Sequence, residues 1–285
     1  MRFVHCSTTG AKNKTSFEIA NKLVDSGIDA IELSGGAFDD NAIQKTKQLA
    51  GKLKSLLIHN YFPIPKNEFV MNLASENSTI LLNSIELAKR GIDLSAEIGA
   101  RYYAVHSGFL IDPLPNELGS VFTTGKLMNR ESCLERFKTS LLLLADYADK
   151  KGVKLLFENN VMNKLNYDFH GKDIFLLSQP EEILDFCADV SNRAGLLLDI
   201  GHLKVTSMTF GFDISKAVNK LNYYAEGYHL SENGGYADDH DSFRIQEWPH
   251  KSLIRNDLDY YTLEFKQYNY QNVSSLIYDF NNWLN

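Results

Sequence analysis

Eight short apolar runs, separated by segments of helical or loop character, predict a closed (β/α)8, or TIM, barrel for this chain. Three observations carry that reading. The apolar runs alternate regularly with longer stretches of helical period, which implies parallel strands joined by crossover helices. The length of 285 residues, with 44% of them hydrophobic, suits one barrel domain over residues 1–285 with a sizeable core. Most of the later apolar runs also end on an acid or a histidine, the residue types that the C-terminal face of such a barrel gathers for chemistry.

The elements follow in order. Residues 2–6 form the first run, and residues 15–26 place Phe17, Ile19, Ala20, Leu23 and Val24 on one face of a helix that Gly27 closes. Residues 28–33 make the second strand, 41–51 a helix and 53–59 the third strand. Pro63 and Pro65 keep residues 60–73 out of a regular helix. A long helical stretch over 76–98 leads into the fourth strand at 101–106. A loop of some two dozen residues follows, broken by Gly108, Pro113, Pro115, Gly119 and Gly125, and its length marks it as an expected lid. Residues 131–151 are helical, Gly152 stops them, and 153–158 is the fifth strand; a second long loop, 159–178, comes next. Pro180 opens a helix at its first turn. The strand at 195–200, a helix near 214–221, the strand at 224–230, a loop to Glu247, a short helix, the strand at 260–265 and a helix over 273–283 complete eight strand–helix pairs.

Composition narrows the function. A net charge of -7 and a pI near 5.6 give no global attraction for nucleic acid or an anionic membrane. Cys6, Cys133 and Cys187 are odd in number and far apart, which argues against a disulfide framework and for the reducing cytoplasm. The N-terminal residues lack a signal-peptide apolar region, and no run is long enough to cross a bilayer, so a soluble protein is expected.

The stretch Gly195-Leu196-Leu197-Leu198-Asp199-Ile200-Gly201-His202 is the most specific: a buried strand that ends on a carboxylate, with an imidazole three residues beyond it. Six strand ends supply seven ligand-type side chains, His59, His106, Glu158, Asp199, His202, His229 and Glu264; Asp238 and His240, at Asp-x-His spacing after the seventh strand, make nine. Four of them are carboxylates. Anions about 6 Å apart repel by roughly 3 kcal/mol per pair at an effective dielectric of about 20, on the order of 15 kcal/mol over the set. A marginally stable fold does not carry that uncompensated. No matching set of Lys and Arg stands at the strand ends, so a divalent metal, Zn²⁺ or Mn²⁺, is the expected counter-charge, with between one and three ions.

Other polar and aromatic residues carry weaker signals. His5, His170 and His250 have no such partners and read as structural or surface residues. Tyr61, Phe62, Phe109 and Tyr236 lie beside strand ends, where they either stack on a ligand or pack in the core. Lys126, Arg130, Lys204 and Arg244 are the candidates to hold a substrate phosphate.

Taken together, the chain resembles the xylose isomerase-like barrels, a family that includes sugar and sugar-phosphate isomerases and epimerases and the endonuclease IV type of AP endonuclease. The resemblance runs over essentially the whole chain. Its most telling segments are Gly27-Ile28-Asp29-Ala30-Ile31-Glu32-Leu33, Phe157-Glu158-Asn159, Leu198-Asp199-Ile200-Gly201-His202 and His229-Leu230-Ser231-Glu232-Asn233. In the isomerases and epimerases the resemblance implies one metal held at positions matching Glu158, Asp199, His229 and Glu264. Endonuclease IV adds ligands matching His59, His106, His202, Asp238 and His240, with Glu158 bridging three zinc ions.

The departures favour the isomerase side. Where the DNA enzyme carries a basic, aromatic segment, this chain has Ser34-Gly35-Gly36-Ala37-Phe38-Asp39-Asp40, whose acids repel a phosphate backbone, and Asp241-Ser242-Phe243-Arg244 replaces its glycine-rich continuation. The resemblance therefore implies a metal-dependent isomerase or epimerase of a small sugar or sugar phosphate. Glu158 and Glu264 would exchange protons with the substrate, and His202 is the extra histidine nearest to its hydroxyls. A zinc phosphodiester hydrolase built from the same residues is the alternative, and nucleic acid is not the expected partner.

Overall fold

Strand by strand, the alternation of side chains explains both the closure of the sheet and the position of the site. The computed structural model describes residues 2–11 and 13–284; Met1 and Asn285, the ends of the expected domain, lie outside the described residues. β1 (Phe3–Ser7), β2 (Ala30–Leu33), β3 (Ser55–His59), β4 (Tyr102–His106), β5 (Lys154–Glu158), β6 (Gly195–Asp199), β7 (Ala225–Leu230) and β8 (Tyr260–Leu263) pair in parallel and in chain order, and β8 closes on β1 with Phe3 opposite Tyr260 and Cys6 opposite Leu263.

Successive side chains of a strand point to opposite faces. Leu57, Ala104, Leu156, Leu197 and Tyr260 pack together as one cluster within the barrel, whereas their sequence neighbours Ile58, Val105, Phe157, Leu198 and Tyr261 belong to the larger core under the helices. Two residues on, the same face carries His59, His106, Glu158 and Asp199. On β7 the inward position below His229 is Gly227, where a Cβ would come within 2.9 Å of the Tyr260 ring. The glycine thus makes room for the tyrosine that floors the site.

The helices are α1 (Ser16–Asp25), α2 (Ala42–Ala50), α3 (Ser78–Glu97), α4 (Arg130–Asp149), α5 (Lys164–His170), α6 (Pro180–Val190), α7 (Ile200–Phe210), α8 (Ile214–Leu221) and α9 (Val273–Leu284). Their starts are capped by chemistry visible in the sequence. Asn77 Oδ1 accepts from the amides of Thr79 and Ile80, and Asn129 Oδ1 accepts from that of Ser132.

Three expectations change. The loop 159–178 contains α5, started by the Asn163 side chain and ended by Gly171 in the left-handed region at φ +66°. Helix α7 begins directly at the end of β6, ahead of the helix expected near 214. The connection over 231–259 has turns in place of the expected short helix: Pro249 cannot donate to a helical ladder, and Trp248 leaves the local chain to stack on Phe243 at 4.5 Å.

The loop after β4, expected to be a lid, is stapled down. Phe109, Ile111 and Phe122 pack with Val70, Met162, Ile174 and Phe175 from the loops after β3 and β5 in a second apolar cluster. Phe109 and Phe175 form an antiparallel bridge, and the Glu117 carboxylate collects the amides of Leu114 at 2.9 Å, Thr123 at 2.7 Å and Thr124 at 3.0 Å. Hydrogen bonding, led by the Thr124 hydroxyl, holds the Glu117 carboxyl down at about 2. Among the described residues no helix is long and apolar enough to cross a membrane. The three cysteines are buried and unpaired, and burial pushes the Cys6 and Cys187 thiols up to about 12.

Candidate metal centre

All nine sequence-predicted residues converge at the C-terminal mouth of the barrel, and Glu158 stands in the middle of them. Its Oε2 lies 3.2 Å from His59 Nε2 and 3.3 Å from His106 Nε2, and those two nitrogens are 3.0 Å apart. Its Oε1 lies 3.3 Å from His229 Nδ1 and 3.5 Å from His202 Nδ1. The two oxygens of one carboxylate therefore address two separate pairs of imidazoles. Glu264, one residue past β8, brings Oε2 to 3.5 Å from His229 Nδ1 and 3.7 Å from His240 Nδ1, while the Ser7 hydroxyl holds its Oε1 at 3.3 Å.

Asp199 and His202 are set by the start of α7. Asp199 Oδ1 caps the helix by accepting the His202 amide, and Oδ2 stays unpartnered toward the site. His202 Nδ1 stands 2.8 Å from the Asn159 carbonyl, to which it donates, and its Nε2 lies 3.3 Å from Asp238 Oδ2 and 3.9 Å from Asp199 Oδ2. Asn159 also ties β5 to β6, accepting the Asp199 amide at 2.8 Å and donating to its carbonyl at 3.1 Å. Sequence reading passed over Asn159, although it follows Glu158 directly.

Asp238 and His240 arrive on a pinned loop. Glu232 and Asp241 exchange backbone hydrogen bonds of 2.9 and 2.7 Å, which closes the loop between them. His240 sits at φ +50°, a conformation that a non-glycine residue adopts only when its surroundings impose it, and its Nε2 reaches Asp238 Oδ2 at 2.7 Å. Asp238 Oδ2 is thereby shared between His202 and His240.

A tenth residue, Glu32 on β2, was missed. It has no solvent exposure, its Oε1 lies 3.1 Å from His229 Nε2, and its Oε2 accepts from the Tyr260 and Thr262 hydroxyls. The available signal was a single acid inside an otherwise apolar buried strand.

Electrostatics follow from packing these acids without Lys or Arg: the ion pairs of Glu158, Asp199, Asp238 and Glu264 are all with histidines. Burial opposes ionisation of Glu158, yet the surrounding imidazoles, His106 and His229 first, hold its carboxyl well below the usual range. Glu264 is held at about 2 against its burial by His229, and Asp238 is held low against its burial by His202 and His240. Asp199 goes the other way, to about 7, because burial dominates and Glu158 and Asp238 repel its charge. Burial drives His106 down to about 4, whereas the acids raise His202 and His229 well above the ordinary value and His240 to about 9 despite burial.

The residues fit a divalent ion. Both oxygens of Glu158, Oδ2 of Asp199, Oδ1 of Asp238 and Nδ1 of His229 and His240 are buried without an aligned hydrogen-bond partner. One donor atom each from Glu158, Asp199, His229 and Glu264 falls within 4.8 Å of the others, and the same holds for His59, His106 and Glu158. Mixed nitrogen and oxygen donors of this kind suit Zn²⁺ or Mn²⁺.

The remaining candidates are otherwise engaged. Arg130 forks onto Glu182 with two bonds of 2.7 Å and also donates to the carbonyls of Asp173 and Phe175; Lys204 pairs with Glu232. Neither side chain is free to act as a phosphate clamp without leaving these partners, whereas Lys126 and Arg244 are exposed. His5 is buried between the Tyr261 carbonyl and the Ser55 hydroxyl, His170 contacts the Phe122 carbonyl, and His250 packs edge-on against Trp248. Phe62 and Phe109 are core residues; Tyr61 is tied through its hydroxyl to the Phe69 amide, and Tyr236 is exposed. Asp39, read above as repelling a phosphate backbone, spends its charge on Lys45 at 2.5 Å, so only Asp40 of that pair remains an exposed acid without this neutralisation.

Comparison with known proteins agrees with this architecture. The profile of a family described as xylose isomerase-like TIM barrel matches residues 20–276. No curated protein matches the chain. Among solved structures it is similar to a D-tagatose 3-epimerase-like protein, at 20% identity over 100% of this chain and 97% of that one with a TM-score of 0.68. A D-allulose 3-epimerase from Methylomonas sp. in complex with D-allulose is similar at 16% identity, over 100% and 98% of the two chains, with a TM-score of 0.61. A Thermus thermophilus protein soaked with ZnCl2 is similar at 18% identity, over 96% of each chain, with a TM-score of 0.59. At these identities the likeness is one of fold.

Proposed function

The chain belongs to the xylose isomerase-like TIM barrel family, and from that premise we propose that it is a divalent-metal-dependent isomerase or epimerase of a small sugar or sugar phosphate, with Glu158 and Glu264 transferring the protons. The observation that carries this reading is the group Glu158, Asp199, His229 and Glu264, whose donor atoms lie within 4.8 Å of one another with two carboxylates on either side of one imidazole nitrogen. The fold is shared with a D-tagatose 3-epimerase-like protein and with a D-allulose 3-epimerase bound to D-allulose, which supports the substrate class.

Bound among these four residues, a divalent ion would supply the Lewis acidity that makes a proton beside a carbonyl removable. Glu158 and Glu264, from β5 and the end of β8, are both held ionised by their imidazole neighbours and are therefore ready as bases. One takes the proton from the carbon beside the carbonyl. For epimerisation the other takes up a proton from water and delivers it to the opposite face while the first gives its proton up to water; for an aldose–ketose shift the first glutamate hands the proton it took to the neighbouring carbon. Asp199 holds its place through the helix cap, Ser7 fixes Glu264, and His202 offers a nitrogen to substrate hydroxyls.

One observation favours a second reading, a zinc phosphodiester hydrolase. His59 and His106 meet Glu158 in a group of their own, and Asp238 is shared by His202 and His240, which is more ligand capacity than one ion uses. Chemistry separates the two. Incubated with ketoses, aldoses and their phosphates in deuterated water, the protein is expected to place deuterium beside the carbonyl, and Glu264→Gln to abolish the exchange. An unlabelled panel, together with zinc-dependent nicking of abasic DNA at catalytic rates, would replace the first reading with the second.

A further inference from the structure

His229 shows one nitrogen to the carboxylates of the mouth and the other to the barrel floor. His229 Nδ1 faces Glu158 and Glu264, while its Nε2 is 3.1 Å from Glu32 Oε1. His59 Nε2 faces Glu158 and His106, and its Nδ1 is buried without a partner. The two rings lie 4.7 Å apart, and one donor atom each from Glu32, His59 and His229 falls within 4.8 Å of the others.

Glu32 is built to accept there. Tyr260 and Thr262, both on β8, donate their hydroxyls to Oε2, the latter at 3.1 Å, and so fix the carboxylate. Oε1 is left buried and unbonded, as is His229 Nε2. An orphaned buried carboxylate oxygen and an orphaned ring nitrogen at hydrogen-bonding distance each supply what the other lacks. With one oxygen already committed to two hydroxyls, the ring N–H of His229 satisfies the other without an ion on the floor.

We propose that Glu32 is the positioning residue of the centre: it accepts the floor-side N–H of His229 and locks that ring in the tautomer that presents Nδ1 to a metal. This rests on the metal-centre reading given under Proposed function, and it does not require any particular reaction.

Chelator competition on the zinc-loaded protein, combined with ¹⁵N spectra of histidine-labelled protein, tests it. Glu32→Leu is expected to weaken zinc binding by about 10- to 100-fold at unchanged saturating stoichiometry and to alter the ring-nitrogen signals of His229. Glu32→Gln, whose amide oxygen still accepts, should recover part of the loss and serves if the leucine variant does not fold; Tyr260→Phe, which loosens the clamp, should fall between. Unchanged affinity and unchanged ring signals in the folded glutamate variants would overturn the proposal, as would the loss of one whole ion per chain, which would make Glu32 a ligand itself. Weakened zinc binding in a protein that exchanges no deuterium would sink the sugar reading and leave this one standing. Normal zinc binding by the Glu32 variants of an exchanging enzyme would do the reverse.

Discussion

The amide of His202 donates to Oδ1 of Asp199 at 2.6 Å, so one carboxylate both starts helix α7 and turns its other oxygen, buried and unpartnered, to the cluster of acids and histidines at the barrel mouth. The helix and the site are coupled through a single side chain. Asp199→Asn keeps the capping oxygen and should leave the metal-free protein within about 1 kcal/mol of the parent, whereas Asp199→Ala loses the cap and should cost about 1 kcal/mol more in chemical denaturation. Both should bind zinc more weakly in a chelator titration. If the asparagine variant binds as tightly as the parent, Asp199 is a cap and nothing else.

A second prediction concerns Arg130, whose fork on Glu182 and on the carbonyls of Asp173 and Phe175 anchors the loop after β5 to the start of α4. A lysine cannot reproduce that planar fork. Arg130→Lys should destabilise the fold by about 2 kcal/mol and expose residues 159–178 to limited proteolysis. A stable, protease-resistant variant with a raised KM for phosphorylated substrates alone would restore Arg130 to the role of phosphate ligand.

The third prediction is one of pH. Burial between the Tyr261 carbonyl and Ser55 lowers the His5 pKa to about 4, so the folded chain resists the proton that the unfolded chain takes up near 6.5. Between those values the unfolded state binds more protons, and His5 therefore subtracts stability as the pH falls from about 6.5 to about 4, by up to about 3 kcal/mol, and has no effect above. Urea midpoints at pH 7.5 and 5 should lie further apart for the parent than for His5→Gln. Equal differences for the two proteins would mean that His5 is protonated in the fold.

These residues also mark what the sequence made legible. The period-two alternation that buries Leu57, Ala104, Leu156 and Leu197 also delivers His59, His106, Glu158 and Asp199 to one mouth, so the barrel and seven ligand-type residues could be read from strand ends, and Asp238 and His240 only from their Asp-x-His spacing. Glu32 offered only the weak signal of one acid in an apolar strand, because its partners are hydroxyls on Tyr260 and Thr262 at the far end of the chain. Arg130 reads as a free cation until Glu182 is placed beside it. Helix α7 was hidden by Gly201, a poor helix former, in the first turn after an apolar strand; only the cap at Asp199 explains why the helix starts there. The connection from β7 to β8 offered helical composition, but Trp248 is drawn into the core by Phe243 and Pro249 ends any ladder.

Glu158, with an oxygen for each of two imidazole pairs, is the residue on which the proposed divalent metal centre depends most. Elemental analysis of protein expressed in zinc- and manganese-replete medium, followed by anomalous diffraction from its crystals, tests this most directly. At least one ion per chain is expected among Glu158, Asp199, His229 and Glu264, with loss of most bound metal in a folded Glu158→Ala variant. One peak would favour the isomerase or epimerase, and two or three a few ångströms apart the hydrolase. Less than one ion per chain after metal-replete expression, or full metal retention by folded Glu158→Ala, would contradict it.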